Sequence, residues 1–262
     1  MTLTEEFPKI SVITPSFNQG EFIERTIRSV TDQAYPNLEF IVVDGKSTDE
    51  TLRILGKYEH QLTWISESDD GQSDAINKGL RKATGDILCY LNSDDILLPN
   101  SLKTVAKAFR EQPEVLWLTG YCQIIDGQDR PTQSFIRSYK NLLLRHYHSW
   151  TLVTINYISQ MSTFWRRTAM DQVGYFSLQH HLVMDYDYWL RLKDLGSPII
   201  LQQDLSAFRL HQASKSNNRF IQQFQQSAAL GMRATRNPVL KAMSWIHHNL
   251  VILAYEVFSL RS

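Results

Sequence analysis

Between residues 10 and 119 the chain alternates short apolar runs with stretches whose apolar residues recur every three or four positions. The runs are ISVIT (10–14), LEFIVVD (38–44), LTWIS (62–66), DILCYLN (86–92) and VLWLT (115–119). Rich in Val, Ile and Leu, they read as strands covered on both faces, as a parallel sheet requires. The spacing predicts helices over 20–33, 49–58, 72–83 and 100–111; in the first, Phe22, Ile23, Thr26, Ile27 and Val30 fall on one stripe. Such alternation implies an α/β fold built on an open, doubly wound, mostly parallel sheet flanked by helices.

Ligands of such sheets bind beyond the carboxyl ends of the strands. Those ends hold Pro15, Ser16, Phe17 and Asn18; then Asp44, Gly45 and Lys46; then residues 67–72; then Asn92, Ser93, Asp94 and Asp95. Three of the four carry carboxylates, so the expected binding edge is acidic. Past residue 119 the pattern loosens. Asp126, Gly127 and Gln128 predict a turn between two strands, and RHYHSW (145–150) a loop or irregular helix. QMSTFWRR (160–167) predicts a strand, and DYDYWLRLKDLG (185–196) a helix that stops at Gly196 before Pro198. Helical patterns return over 218–230 and 238–258.

Composition supports a folded globular protein: 43% of the 262 residues are apolar and only 21% charged. Equal numbers of basic and acidic residues, 27 each, argue against a general nucleic-acid binder. The neutrality is a cancellation, because residues 199–262 hold seven basic and two acidic residues and the first 198 hold 20 and 25. Two cysteines, Cys89 and Cys122, make no disulfide framework, and MTLTEEFPKISVITPSF has no basic, apolar leader. The expected location is therefore cytoplasmic. WIHHNLVILAYEVFSL (245–260) is too short and too polar to span a bilayer, so any membrane contact would lie along its surface.

Among motifs, DGKST (44–48) lacks the glycine a phosphate-binding P-loop needs at position 40, which is Phe40, and no GxGxxG occurs. LNSDD (91–95) reads either as a solvated turn or as oxygen ligands for Mg²⁺ or Mn²⁺ holding substrate phosphates. Asp185, at the start of a predicted helix, reads as an N-cap or as a functional carboxylate favoured by the helix dipole. His146 and His148 could bind metal or belong to a loop that touches acceptor. Trp150, Tyr157 and Trp165 could stack on a sugar or pack in the core.

SVITPSFNQGEFIERTIRSVTDQAYPNLEFIVVDGKSTDET and DDGQSDAINKGLRKATGDILCYLNSDDIL together closely resemble the family 2 glycosyltransferases, inverting enzymes of the GT-A fold, here of the bacterial cell-surface polysaccharide type. The resemblance spans about residues 8–215. It implies that Asp44 contacts the base of a donor nucleotide and that Pro15, Ser16, Phe17 and Asn18 touch the nucleotide. Gln72, Asp74 and Asn77, in the DGQxDAxNxG segment, become candidate nucleotide contacts. The family's DxD motif falls on Asn92, Ser93 and Asp94, with Ser93 beside the nucleotide and Asp94 and the adjacent Asp95 as metal ligands; Asn92 replaces the first Asp. The catalytic Asp matches Asp185 in MDYDYWLRL, where Met184 stands at a position often occupied by Glu. In FRLHQASKS (208–216), Arg209, His211 and Lys215 match a diphosphate-binding segment from which His211 could also reach the metal.

The implied activity is a hexosyltransferase-type reaction: transfer from a nucleoside diphosphate sugar, with a UDP-sugar favoured, to a hydroxyl of a saccharide or lipid-linked acceptor. Asp185 would be general base and Mn²⁺ or Mg²⁺ the cofactor. Residues 1–217 would form the catalytic domain, its nucleotide-binding half over 1–119 and its acceptor and catalytic half over 120–217, with a helical extension over 218–262. Basic residues beside the apolar terminal helix suit peripheral contact with an anionic membrane. Two alternatives stay open. A nucleotidyltransferase acting on sugar phosphates would want a Gly-rich basic loop, which SFNQGEF (16–22) lacks; a catalytically silent carbohydrate-binding protein of the same fold would not need both Asp94 and Asp185.

Overall fold

The computed structural model describes residues 7–211 and 220–259. Its first half follows the predicted alternation: β1 (Ile10–Ser16), α1 (Ile23–Thr31), β2 (Leu38–Asp44), α2 (Thr51–Lys57), β3 (Thr63–Ser66), α3 (Gln72–Lys82) and β4 (Ile87–Tyr90). Then come β5 (Ile96–Leu97), α4 (Ser101–Glu111), β6 (Trp117–Ile125), α5 (Ser134–Arg145), α6 (Ser149–Thr154), β7 (Thr163–Arg166), α7 (Arg167–Val173), α8 (Met184–Leu192) and β8 (Ile199–Arg209). Two helices close the chain, α9 (Phe220–Arg233) and α10 (Pro238–Ser259).

One sheet of eight strands runs in the order β3-β2-β1-β4-β7-β6-β8-β5. The first four strands are parallel neighbours, with Ile13 opposite Ile41 and Tyr90. Successive residues of these strands feed opposite faces. Ile13, Val43 and Leu88 pack with α3, α7 and α8, whereas Val12, Val42 and Cys89 pack with α1, α2 and α4. Both faces are thus covered, which is why the strand runs lack polar alternation. At Gly79 on α3, a Cβ would lie 2.4 Å from Ile13 Cγ2, so only glycine lets α3 sit this close to β1.

The run at 115–119 does not continue the parallel series. β7 lies antiparallel between β4 and β6, pairing Leu88 with Trp165 and Trp117 with Trp165. β6 and β8 are parallel to each other, with a register break at Gly120, Tyr121 and Cys122. The turn at 126–128 leads to a single bridge, Ile125 with Pro131, and then to α5, not to a second strand. Both cysteines are buried thiols. Tyr157 and Trp165 are core residues, while Trp150 stays half exposed beside His148. Among the described residues no helix is long and apolar enough to cross a membrane.

Candidate active site

The carboxyl ends of β1 and β4 and the first turns of α3 and α8 surround a cavity of about 380 Å³. Pro15, Ser16 and Phe17 line it from the end of β1, and Phe17 is 61% exposed, an aromatic face free to stack on a planar ring. Asn18, at φ 51°, stands just behind. Its backbone N–H donates to Ser47 Oγ (2.7 Å) and its Oδ1 accepts from Thr48 N (2.9 Å), which ties the loop after β1 to the loop after β2.

The wall from β4 holds Asn92, Ser93 and Asp94. Asp94 Oδ2 lies 3.0 Å from His211 Nε2, and the imidazole rests on the Phe22 ring at 4.4 Å between centroids. The Asp94 carboxylate suits Mn²⁺ or Mg²⁺, and the adjacent imidazole is a nitrogen donor that Mn²⁺ would take more readily than Mg²⁺. Among the described residues there is no group of three or more His, Cys, Asp or Glu able to hold a metal.

Along this wall runs a line of amides. Gln72 Nε2 donates to Asn92 Oδ1 (2.7 Å), and Asn92 Nδ2 donates to Asp95 Oδ2 (3.0 Å) and Gln160 Oε1 (3.4 Å). Gln160 Nε2 in turn donates to Tyr90 O (2.5 Å). Asn92 is therefore a donor between two acceptors, a role a carboxylate could not fill.

Asp185 is the second residue of α8, where unpaired backbone N–H groups favour negative charge. It lines the same cavity and accepts from Tyr186 N at 2.8 Å. Burial pushes its carboxyl above the ordinary range; the Tyr186 N–H, the Lys140 ammonium and the Asn156 amide pull the other way. A carboxyl raised in this way is a stronger base than an exposed one once it is ionised.

Other residues singled out in the sequence lie outside the lining. Asp44 is fully buried and accepts from Ser47 Oγ (2.5 Å), Ser47 N (2.9 Å) and Ser66 Oγ (2.6 Å), so it braces the loop after β2. Asp74 pairs with Lys78 at 3.3 Å, and Asn77 is buried against the backbone of Phe176 through two hydrogen bonds of 2.8 and 2.9 Å.

Two assignments need correction. Asp95 is not beside Asp94 as a second ligand: it turns inward, 0% exposed, and accepts from Arg209 N (2.9 Å) and Asn92, because successive residues of the turn point opposite ways. Burial, followed by the charge of Asp94, pushes its carboxyl well above the ordinary range. Arg209 is likewise fully buried; its Nε donates to Asp94 O (2.7 Å) and its NH1 pairs with Asp129, so it anchors the Asp94 backbone instead of reaching a diphosphate. Lys215 lies outside the described residues.

The cavity also recruits His181, Gln160 and Gln223, which no motif marked, beside Asp69 of the DDGQ segment. Gln160 carried a faint signal, as the polar first residue of the predicted strand over 160–167. Gln223 carried none: it comes from α9 and donates to Leu182 O at 3.2 Å.

With this geometry in hand, likeness to known proteins narrows the chemistry. A family profile described as glycosyl transferase family 2 matches residues 11–174, more than half of the chain. The uncharacterized glycosyltransferase Rv1514c of Mycobacterium tuberculosis is 30% identical over 206 residues, 77% of this chain and 75% of its own. A Bacillus subtilis protein provisionally named teichuronic acid biosynthesis glycosyltransferase TuaG is 34% identical over 145 residues. The glycosyltransferase alr2836 of Nostoc is 31% identical over 126. The match spans 57% and 39% of the lengths of these last two.

Among solved structures, S. aureus TarS in complex with UDP superposes with a TM-score of 0.63 at 20% identity, over 90% of this chain and 68% of that one. A mannosyltransferase of Pyrobaculum calidifontis with GDP-Man and Mn²⁺ gives 0.69 at 20% identity, over 92% and 69%. At this identity the likeness establishes the fold, a GT-A architecture.

Proposed function

The chain belongs to glycosyl transferase family 2, and from that premise we propose that it moves a sugar from a nucleoside diphosphate sugar to an acceptor hydroxyl, inverting the anomeric centre. One observation carries the reading: a half-buried carboxylate at a helix N-terminus and a carboxylate–imidazole pair line or flank a single cavity. Asp185 removes the proton of the acceptor hydroxyl as its oxygen attacks the anomeric carbon. The bond from that carbon to the diphosphate oxygen breaks in the same displacement, so no protein nucleophile is required. Asp94 and His211 would hold Mn²⁺ or Mg²⁺, which when bound neutralises charge developing on the leaving diphosphate. Phe17 offers a stacking face to the base, with Pro15 and Ser16 beside the ribose.

A uridine nucleotide is favoured as donor because TarS is solved with UDP and with UDP-GlcNAc, although the Pyrobaculum enzyme holds GDP-Man. The acceptor is a saccharide or lipid-linked intermediate of a cell-surface polysaccharide, made on the cytoplasmic side; the name of the Bacillus relative supports this class. Residues 1–217 constitute the catalytic unit and 218–262 an extension that contributes Gln223 to the cavity.

The test is transfer by Asp185→Asn with UDP-sugars and Mn²⁺. The variant should keep nucleotide-induced thermal stabilisation and lose transfer by roughly 10²–10⁴-fold, the usual share of a general base. Transfer at the wild-type rate would remove Asp185 from the mechanism; release of pyrophosphate from a nucleoside triphosphate would indicate a nucleotidyltransferase instead.

A further inference from the structure

α10 buries two polar residues and leaves a row of apolar ones exposed. Ser244 and His248 are buried, at 0% and 2% exposed, against α6 and α9. Val239, Met243, Trp245, Ile246, Leu250 and Leu253 face outward, each 41–63% exposed. The inner contact is firm: a Cβ on Gly231 of α9 would lie 2.3 Å from Val153 O of α6 and 3.1 Å from Ser244 Oγ. The glycine lets α9 press close to α6 and α10, and the apolar row is left on the outer side. A water-facing helix has the reverse pattern, and an apolar face this long marks an interaction surface.

Charge identifies the occupant. Arg233, Arg236 and Lys241 are exposed at the amino-terminal end of this face, and the sequence has no Asp or Glu from residue 205 to residue 255. Burial holds His247 down at about 4, so it adds no charge at neutral pH. Anionic headgroups above an acyl layer match both the positive charge and the apolar row.

We propose that the outward face of α10, flanked by Arg233, Arg236 and Lys241, docks on a bilayer surface that carries anionic headgroups. The helix lies in the interface plane, with Trp245 at headgroup depth beside the basic end. Because α9 also supplies Gln223 to the cavity, docking places the cavity at a fixed height above the membrane, within reach of a lipid-linked acceptor. The docking itself does not depend on glycosyl transfer, whereas the reach to a lipid-linked acceptor rests on the proposed function.

The experiment is cosedimentation of the full chain with phosphatidylcholine vesicles, with and without phosphatidylglycerol, at low and high salt. Wild-type protein should bind the anionic vesicles in a salt-sensitive manner. Each basic residue near the surface is worth about fivefold in partitioning, so reversing all three charges should weaken binding by about a hundredfold or more. Trp245→Glu with Leu250→Glu should abolish it. All five positions are exposed, and an unchanged melting temperature checks that the variants fold. Absence of wild-type binding would overturn the proposal, as would equal binding by the Trp245/Leu250 variant. A lipid-free dimer dissolved by those two substitutions, with no vesicle binding, would assign the face to a second copy of the chain.

Discussion

Asn92 occupies the place of a carboxylate in the family motif, and restoring that carboxylate should harm the protein. Asn92→Asp keeps the shape of the side chain but sets an oxygen where Nδ2 now donates, 3.0 Å from Asp95 Oδ2 and 3.4 Å from Gln160 Oε1. Two full charges at that spacing repel by ~5 kcal/mol at an effective dielectric constant of about 20. Uptake of a proton is cheaper. At pH 7 it costs ~4 kcal/mol for a carboxyl of ordinary pKa, and less here because burial and Asp94 already push Asp95 well above that range. The pair should therefore share one proton, and the net loss should be ~2–3 kcal/mol at pH 7, or roughly 5–10 °C in melting temperature for a chain of this size.

The sign follows from linkage. The pair's folded pKa is raised above its unfolded value, so the variant matches wild type below about pH 4 and loses stability as pH rises through the folded pKa. Thermal melts of both proteins in chelator, from acid to neutral pH, read this directly. A variant as stable as wild type at pH 7, or a deficit that does not change with pH, would refute the amide relay.

Three further outcomes are expected. Because burial raises the Asp185 carboxyl and Lys140 lowers it, the acid limb of the pH–rate profile should lie above the ordinary carboxylate range, and Lys140→Met should move it to higher pH; pre-steady-state rates across pH test both. His211→Ala should weaken Mn²⁺-dependent stabilisation by nucleotide by at least about tenfold, read by thermal shift with and without metal. Glu39, 19% exposed, feels burial pushing its carboxyl up, but hydrogen bonds from Lys9, Ser11 and Thr84 prevail and hold it at about 2. That depression contributes up to ~3 kcal/mol above pH ~4, lost as pH falls toward 2, so Glu39→Gln should lose up to this amount at pH 7 but little at pH 2.

Much of the first half was legible locally. The run at 38–44 coincides with β2, and the spacing at 72–83 meets α3 to within one residue, since a strand buried on both faces and a helix buried on one leave unmistakable patterns. The patterning failed for α5, whose Phe135, Ile136 and Leu142 stay exposed, and for the long β8, whose Gln202, Gln203 and Asp204 interrupt its apolar run.

The motif positions that mark the acidic edge were likewise readable, because residue type and spacing along one strand end are properties of a short segment. Which of those residues face the cavity was not. Asp94 and Asp95 are neighbours in LNSDD with identical side chains, and their fates part only because Arg209, more than a hundred residues later, donates its backbone N–H to one and leaves the other beside His211. The insertion of β7 between β4 and β6, the arrival of Gln223, and the outward turn of α10 have the same origin. Periodicity records which face of an element is apolar, whereas the partner that covers the face, and the direction in which a turn residue points, are chosen by contacts between segments far apart in the chain.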